Sequence, residues 1–297
     1  MILRATTPSP LFIYAATLCR FVNDESGRLN PVKRLGLWLK QCGNGISQLS
    51  QLYLPILHQL LLIEEDREEL LQIIGSITLL ATPLPLQSLA SFLGLDEDVV
   101  SHWLRNLHAV LERPTNPSFP IRLLHKSFSD FILGEEAEEF RVNAAKTHTL
   151  LASKCIQRME NVNGLREHIC SLRETSKLTD EIDNATIALH FPPELEYACL
   201  YWVHHLQHSA RQFGEEIPFS RIYKFFEAHF SHWLEALSLL GKLSHSFNIL
   251  NSLQSLVTVR VVCHSCKSLQ ILACQDTDLT LLYSPTRIQN CFPLFMT

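Results

Sequence analysis

Apolar residues recur at helical spacing along most of this chain. Leu49, Leu52, Tyr53, Ile56, Leu57, Leu60 and Leu61 fall on one face of a helix whose other face is polar. The same period runs through Ala144, Ala145, His148, Leu151, Ala152, Cys155, Ile156 and Met159, and through Leu195, Ala198, Cys199, Trp202 and Leu206. Ile222, Phe225, Phe226, Phe230, Trp233, Leu234 and Leu237 repeat it once more. Strand-like alternation is confined to Val110–Leu111 and Ile121–Leu124, on either side of a loop carrying Pro114, Pro117 and Pro120. The pattern predicts a mainly α fold.

Local punctuation refines these segments. Asn30 before Pro31 is a good cap and first helical position, and it predicts a helix through Trp38 to Lys40 that Gly43 and Gly45 end. Pro55 would remove a backbone bond from the interior of the next helix, so that helix is expected either to start near Leu54, the favoured reading, or to kink there. The acidic run Glu64, Glu65, Asp66, Glu68 and Glu69 precedes an apolar run that begins at Leu70, and negative charge suits the start of a helix. Between Glu68 and Leu133 the expected order is helix, short helix, helix, two-stranded turn and final helix, the layout of a winged helix. Leu86–Leu93 supplies the second helix, Gly94 its end and Asp96 the cap of the third, whose buried face is Val99, Val100, Trp103, Leu104 and Leu107.

Charge bears on what such a domain can bind. The chain of 297 residues carries a formal net charge of -5, which argues against a phosphate-backbone partner. The third helix, which reads DNA in many winged helices, would begin here with Asp96, Glu97 and Asp98 and meet phosphates with like charge. Regulatory packing is therefore the expected use of the domain, with a winged-helix DNA-binding protein as the alternative. Leu70–Leu95 is free of charge and long enough to span a bilayer, but Pro83, Pro85, Gln72 and Gln87 break it, so two buried helices are expected and no membrane. Nine cysteines at irregular spacing do not read as a disulfide framework, and no signal peptide opens the chain; a cytoplasmic setting is expected.

The segment LLATPLPLQSLASFLGLDEDVVSHWLRNLHAVL from Leu79, followed by PIRLLHKSFSDFIL from Pro120, resembles the winged-helix region of fungal NACHT/WD-repeat proteins of the vegetative incompatibility family. LFIYAATLCRFVND, from Leu11 to Asp24, is similar to the helical region that follows the NACHT core in that family. PPELEYACLYWVHHLQ from Pro192 and HWLEALSLLGKLS from His232 resemble the helical connector that leads toward WD repeats. The resemblance covers residues 10 to 260. It implies a part of an NLR-like switch NTPase whose NACHT core binds a nucleoside triphosphate and whose opened form signals in non-self recognition, often toward cell death.

That switch needs a phosphate-binding loop of the G-x-x-x-x-G-K-[ST] kind, in which backbone amides and a lysine hold the phosphates. No such sequence occurs here; Gly241–Lys242 is the only Gly-Lys pair, and Leu243 follows it. The chain is thus expected not to be an enzyme by itself, to carry no cofactor, and to derive from a parent whose core precedes Met1. The resemblance implies one nucleotide contact, His125 in RLLHKSF, at the place of the winged-helix histidine that reaches the diphosphate in related switch ATPases. It would act only with a NACHT core supplied, and Lys126 stands where the family commonly has proline. The plainer reading of His125 is a packed residue, or the cap of the helix beginning at Ser127.

Other candidate chemistry competes with plain packing. Cys263, His264, Cys266, Cys274 and Cys291 offer a C-x-x-C pair without a second close pair, and His204 and His208 lie one turn apart beside His205 without the glutamate of an H-E-x-x-H site. With Trp202 and Leu206 holding the buried stripe, these histidines are expected on a partly exposed face. Cys155 and His148 share a stripe but have no orienting carboxylate, so they read as core, as do Trp103, Trp202, Phe225, Phe226, Phe230 and Trp233. No catalytic residue and no metal are expected.

The fold class expected is mainly α: a helical bundle plus a winged-helix domain followed by a helical connector domain. The divisions are 1–67 for the helical region after the missing NACHT core, 68–133 for the winged helix, 134–262 for the connector and 263–297 for a divergent tail. The tail is read as intron read-through or a shifted frame in a truncated gene model, which sequencing one uninterrupted transcript across Val259–Cys266 would refute. The function expected is that of a non-enzymatic regulatory and connector segment. Its partners are expected to be a NACHT core, homologous switch proteins or copies of itself, joined through apolar faces left exposed, with no nucleic acid.

Overall fold

The computed structural model describes residues 10–23, 30–41, 47–61, 66–112, 114, 116–167, 169, 184–209 and 219–258. The chain divides into two units, Met1–Thr147 and His148–Thr297, described separately below. Among the described residues there are twelve α-helices and one two-stranded sheet, so the fold is mainly α.

Caps fix the first helices. Asn30 accepts the Val32 amide through Oδ1 at 2.8 Å at the start of α2 (Pro31–Gln41), which packs on α1 (Pro10–Val22). Trp38 anchors the pair: it is buried, donates from Nε1 to Tyr14 Oη at 3.1 Å, and lies 5.2 Å from the Phe21 ring. Phe12, Val32 and Leu39 on the same two helices are exposed. Gly43 and Gly45 lie outside the described residues.

One expectation fails in α3 (Gln48–Leu61). The helix does not start near Leu54; it runs through Pro55 and begins at Gln48, just after Ser47, whose Oγ accepts the Ser50 amide at 3.1 Å. The proline removes one helical donor. Against that stands a stripe of Leu52, Tyr53, Ile56, Leu57 and Leu60, all buried against α1, α2 and α7 (Lys126–Leu133). At about 1.5–3 kcal/mol for each buried large side chain, the two turns before Pro55 are held by packing that outweighs the missing bond.

From Asp66 to Leu133 the predicted order of elements is observed. Asp66 caps α4 (Arg67–Leu79) by accepting the Glu69 amide at 2.9 Å, and Leu70, Ile73, Ile74 and Ile77 bury its face. Pro83 and Pro85 separate α4 from α5 (Leu86–Leu93), which ends on Gly94 at φ 70°, where a side chain would strain the backbone. Asp96 then caps α6 (Glu97–Asn106) through the Asp98 amide at 3.0 Å. The strands are β1 (Leu111–Glu112) and β2 (Arg122–Leu123), antiparallel with Leu111 opposite Leu123, one residue later than expected for the first. A 3₁₀ turn, Glu135–Phe140, follows α7 and buries Ala137 and Phe140. The uncharged run of Leu70–Leu95 is thus two short helices, and no helix among the described residues is long and apolar enough to cross a membrane.

α8 (Ala144–Glu160) carries the chain into the second unit, which further contains α9 (Asn184–His190), α10 (Pro193–His208), α11 (Phe219–Leu239) and α12 (Leu243–Thr258). α10, α11 and α12 pack on one another around an aromatic core. Trp202 and Trp233 meet edge to face with centroids 6.4 Å apart, Phe225 lies 5.7 Å from Trp202, and Trp233 donates to the Cys199 carbonyl at 3.0 Å. Of the predicted core stripe, Ile222, Phe225, Trp233 and Leu237 are buried, whereas Phe226, Phe230 and Leu234 are half-buried. Gly241, at φ 66°, closes α11: the Lys242 amide returns to Leu237 O at 2.8 Å. The Gly-Lys pair is therefore a helix-ending turn. The tail with Cys263, His264, Cys266, Cys274 and Cys291 lies outside the described residues.

Candidate functional site

His125 sits immediately before α7 and caps it. Its Nδ1 accepts the Ser127 amide at 3.0 Å and lies 2.8 Å from Ser127 Oγ, which in turn lies 2.7 Å from Tyr53 Oη on α3. An Nδ1 that accepts leaves the ring proton on Nε2. The hydroxyls then align as Tyr53 donating to Ser127 and Ser127 to His125, and burial raises the Tyr53 pKa against a smaller opposing effect of Ser127. Capping accounts for the ring's Nδ1 contacts in this structure. The start of α6 presents Asp96, Glu97 and Asp98, all exposed, as an acidic edge.

The second unit holds a denser polar group, built from two helices. α8 contributes His148; α10 contributes Tyr197, His204, His205 and His208, which its period brings toward one side. His148 Nδ1 and His205 Nδ1 are 2.8 Å apart and share one proton. On the other side of the His205 ring, Nε2 lies 2.6 Å from Tyr197 Oη. The His204 and His208 rings lie with centroids 4.5 Å apart and planes tilted by 44°, and the His208 centroid is 5.1 Å from that of His148. His208 donates from Nδ1 to the His204 carbonyl at 2.8 Å.

This arrangement departs from the sequence expectation in two ways. His205 was expected with its neighbours on a partly exposed face, yet it is fully buried; His204 is half-buried and only His208 is exposed. The physical reason is the hydroxyl and imidazole that receive it, because a buried ring with both nitrogens bonded avoids most of the desolvation cost. His148 was read as core, and it is buried, but as the polar partner of His205. The spacing of His204 and His208 was visible; the link to a residue 57 positions away was not.

The rings' electrostatics follow from burial. Loss of water, with smaller contributions from His208 and His204, pushes the His148 pKa down to about 4. Burial, then repulsion from His148, His204 and His208, pushes His205 down to about 3. His204 moves down as well, by burial first and His208 second. His148 and His205 are consequently neutral near pH 7, so each ring keeps a lone pair where α8 meets α10.

Two further polar features frame the group. Cys155 and Cys199 are buried free thiols; burial drives Cys155 upward, and it pushes Cys199 to about 12. Neither is an activated nucleophile, in keeping with the core reading of Cys155. Arg158 on α8 and Glu194 on α10 form an ion pair at 3.3 Å with both side chains largely buried.

Comparison with known proteins gives one informative likeness. The chain is 27% identical over 275 aligned residues to the vegetative incompatibility protein HET-E-1 of Podospora anserina, an alignment covering 83% of this chain and 19% of that protein. It thus spans about a fifth of the length of that relative. No protein-family profile matches the chain, and no solved structure matches it.

Proposed function

We propose that this chain serves as the regulatory and connector segment of a NACHT-type switch protein acting in non-self recognition, in the cytoplasm, without catalysis of its own. The observation that carries the reading is the likeness to HET-E-1 over 83% of the chain, a span that includes most of both units. The order of elements from α4 to α7 supports it, because three helices, a two-stranded wing and a closing helix are the layout of a winged helix. In this reading α8 to α12 are the connector. The nucleotide is held by a core that is not part of this sequence, since the phosphate-cradling loop is missing from all 297 residues.

Within that reading His125 has a second use. Its Nε2–H is the donor left over once Nδ1 caps α7, and it could reach a phosphate oxygen of a nucleotide seated in a core placed against the winged helix. The alternative, a DNA reader, is disfavoured by Asp96, Glu97 and Asp98 at the exposed start of α6. The partners expected are a NACHT core, a homologous switch protein or a second copy of the chain, and the exposed Phe12, Val32 and Leu39 are the surface to examine.

The test is a segment exchange. Residues 10–258 replace the matching segment of HET-E-1, and incompatibility is scored in Podospora with and without His125→Ala. Retained incompatibility supports the connector role, and altered signalling in the His125→Ala chimera supports the nucleotide contact. A folded but inert chimera would overturn the reading, as would saturable ATP binding or salt-dependent duplex-DNA binding by the chain alone.

A further inference from the structure

We propose that His148, His204 and His205 form a binding site for a divalent transition-metal ion of the zinc, nickel or copper class, tying α8 to α10. One ligand nitrogen from each of the three rings lies within 4.8 Å of the others, two helices converge on the point, and the donors are imidazoles only. Imidazole nitrogens suit zinc, nickel and copper, whereas magnesium and calcium require oxygen ligands that this group does not contain.

The hydrogen bonds around the rings point the same way. His205 Nε2 is held by Tyr197 Oη at 2.6 Å, which fixes the ring and turns its Nδ1 toward His148, as an outer partner does for a metal-bound histidine. The two Nδ1 atoms are 2.8 Å apart. Around one tetrahedral ion, with bonds of about 2.0–2.1 Å, they would sit about 3.3 Å apart, so the rings must part by roughly half an ångström. The shared proton need not leave the protein. Whichever ring carries it on Nδ1 can carry it on its other nitrogen instead; on His205, the Nε2–H would then donate to Tyr197.

A buried polar pair alone does not call for the rest of the cluster. His148, His205 and Tyr197 already bond one another, yet His204 and His208 bring two further rings to the same place. His208 uses its Nδ1–H on the His204 carbonyl, which leaves Nε2 as a lone-pair donor on the exposed side. The half-buried His204 and the exposed His208 thus give an ion a path from solvent. Water or His208 can complete the fourth position, the arrangement of an open rather than a sealed site.

The experiment uses the full chain, without a histidine tag and with Cys263, Cys266, Cys274 and Cys291 changed to serine so that tail thiolates cannot supply the ion. Zinc is titrated by calorimetry against a competing chelator, and cobalt is added as an optical probe of the same ligands. The expected result is one ion per chain, cobalt bands of a nitrogen-ligated centre without a thiolate charge-transfer band, and a higher melting temperature with zinc. His204→Gln should abolish binding, and Tyr197→Phe should weaken it by about tenfold to a hundredfold. His204 is half-buried, so its variant is expected to fold, and far-UV circular dichroism checks this. Affinity on the order of millimolar or weaker, unchanged binding in folded His204→Gln, or a thiolate band in the serine-substituted chain would each overturn the proposal.

Discussion

Acid should loosen the second unit through two imidazoles, and the size of the effect can be worked out. In metal-free protein held with a chelator, His148 and His205 have folded pKa values of about 4 and about 3, against about 6.5 when the chain is unfolded. Well above pH 6.5 both states are neutral at these rings and the pH dependence vanishes. Below it the unfolded chain takes up protons that the folded one refuses, so stability falls with acid, by about 1.4 kcal/mol per pH unit for each ring. At pH 5 this amounts to about 2 kcal/mol for either ring alone. The lowered value of His205 already contains repulsion from His148, so the two costs are not fully additive and the pair together should cost about 2–4 kcal/mol. The remaining charges acting on them are His204 and His208, whose repulsion is already contained in the lowered values. Hydrogen exchange followed by mass spectrometry, corrected for intrinsic rates, reads the effect on α8 and α10 directly. Their protection should fall between pH 7 and pH 5, and His205→Gln should remove about half of the slope. Protection independent of pH across that window would show that the rings are already solvated or charged in the folded state.

Three other outcomes follow from the same structure. Ser127→Ala breaks the hydroxyl chain between His125 and the buried Tyr53, leaving the phenol without its partner there, and should cost about 1–3 kcal/mol in urea unfolding. Arg158→Met removes the ion-pair partner of buried Glu194 and should lose about 3–5 kcal/mol, while Arg158→Met combined with Glu194→Leu should recover much of it; calorimetric melting of both variants checks the order. Mass-mapped alkylation of the native chain should label exposed Cys19 and spare Cys155 and Cys199, whose thiols burial holds upward; rapid labelling of the buried pair would contradict the packing described.

The helices were readable because their evidence is local. A proline pair divides Leu70–Leu95, Gly94 takes the left-handed turn, and Asp96 caps the following helix, each within a few residues of the feature it controls. Pro55 misled for the complementary reason. A proline's local cost can be read from the sequence, whereas the burial of Leu52 and Tyr53 that offsets it depends on helices distant along the chain. The same limit applies to the histidines. His204 and His208 were visible as neighbours on one turn, but the apolar stripe of α8 disguised His148 as a core residue. Nothing near position 148 in the sequence announces a hydrogen-bond partner 57 residues later. His125 showed the reverse: its capping role was legible from Ser127, because cap and helix are adjacent.

The proton shared by His148 and His205 also limits how this sequence can drift. Either histidine replaced alone by an aliphatic residue leaves a buried nitrogen facing carbon, whereas replacing both by a matched apolar pair removes the conflict. The two positions should therefore change together among descendants of this chain. Tyr197 should follow them, free to become phenylalanine only where His205 has gone.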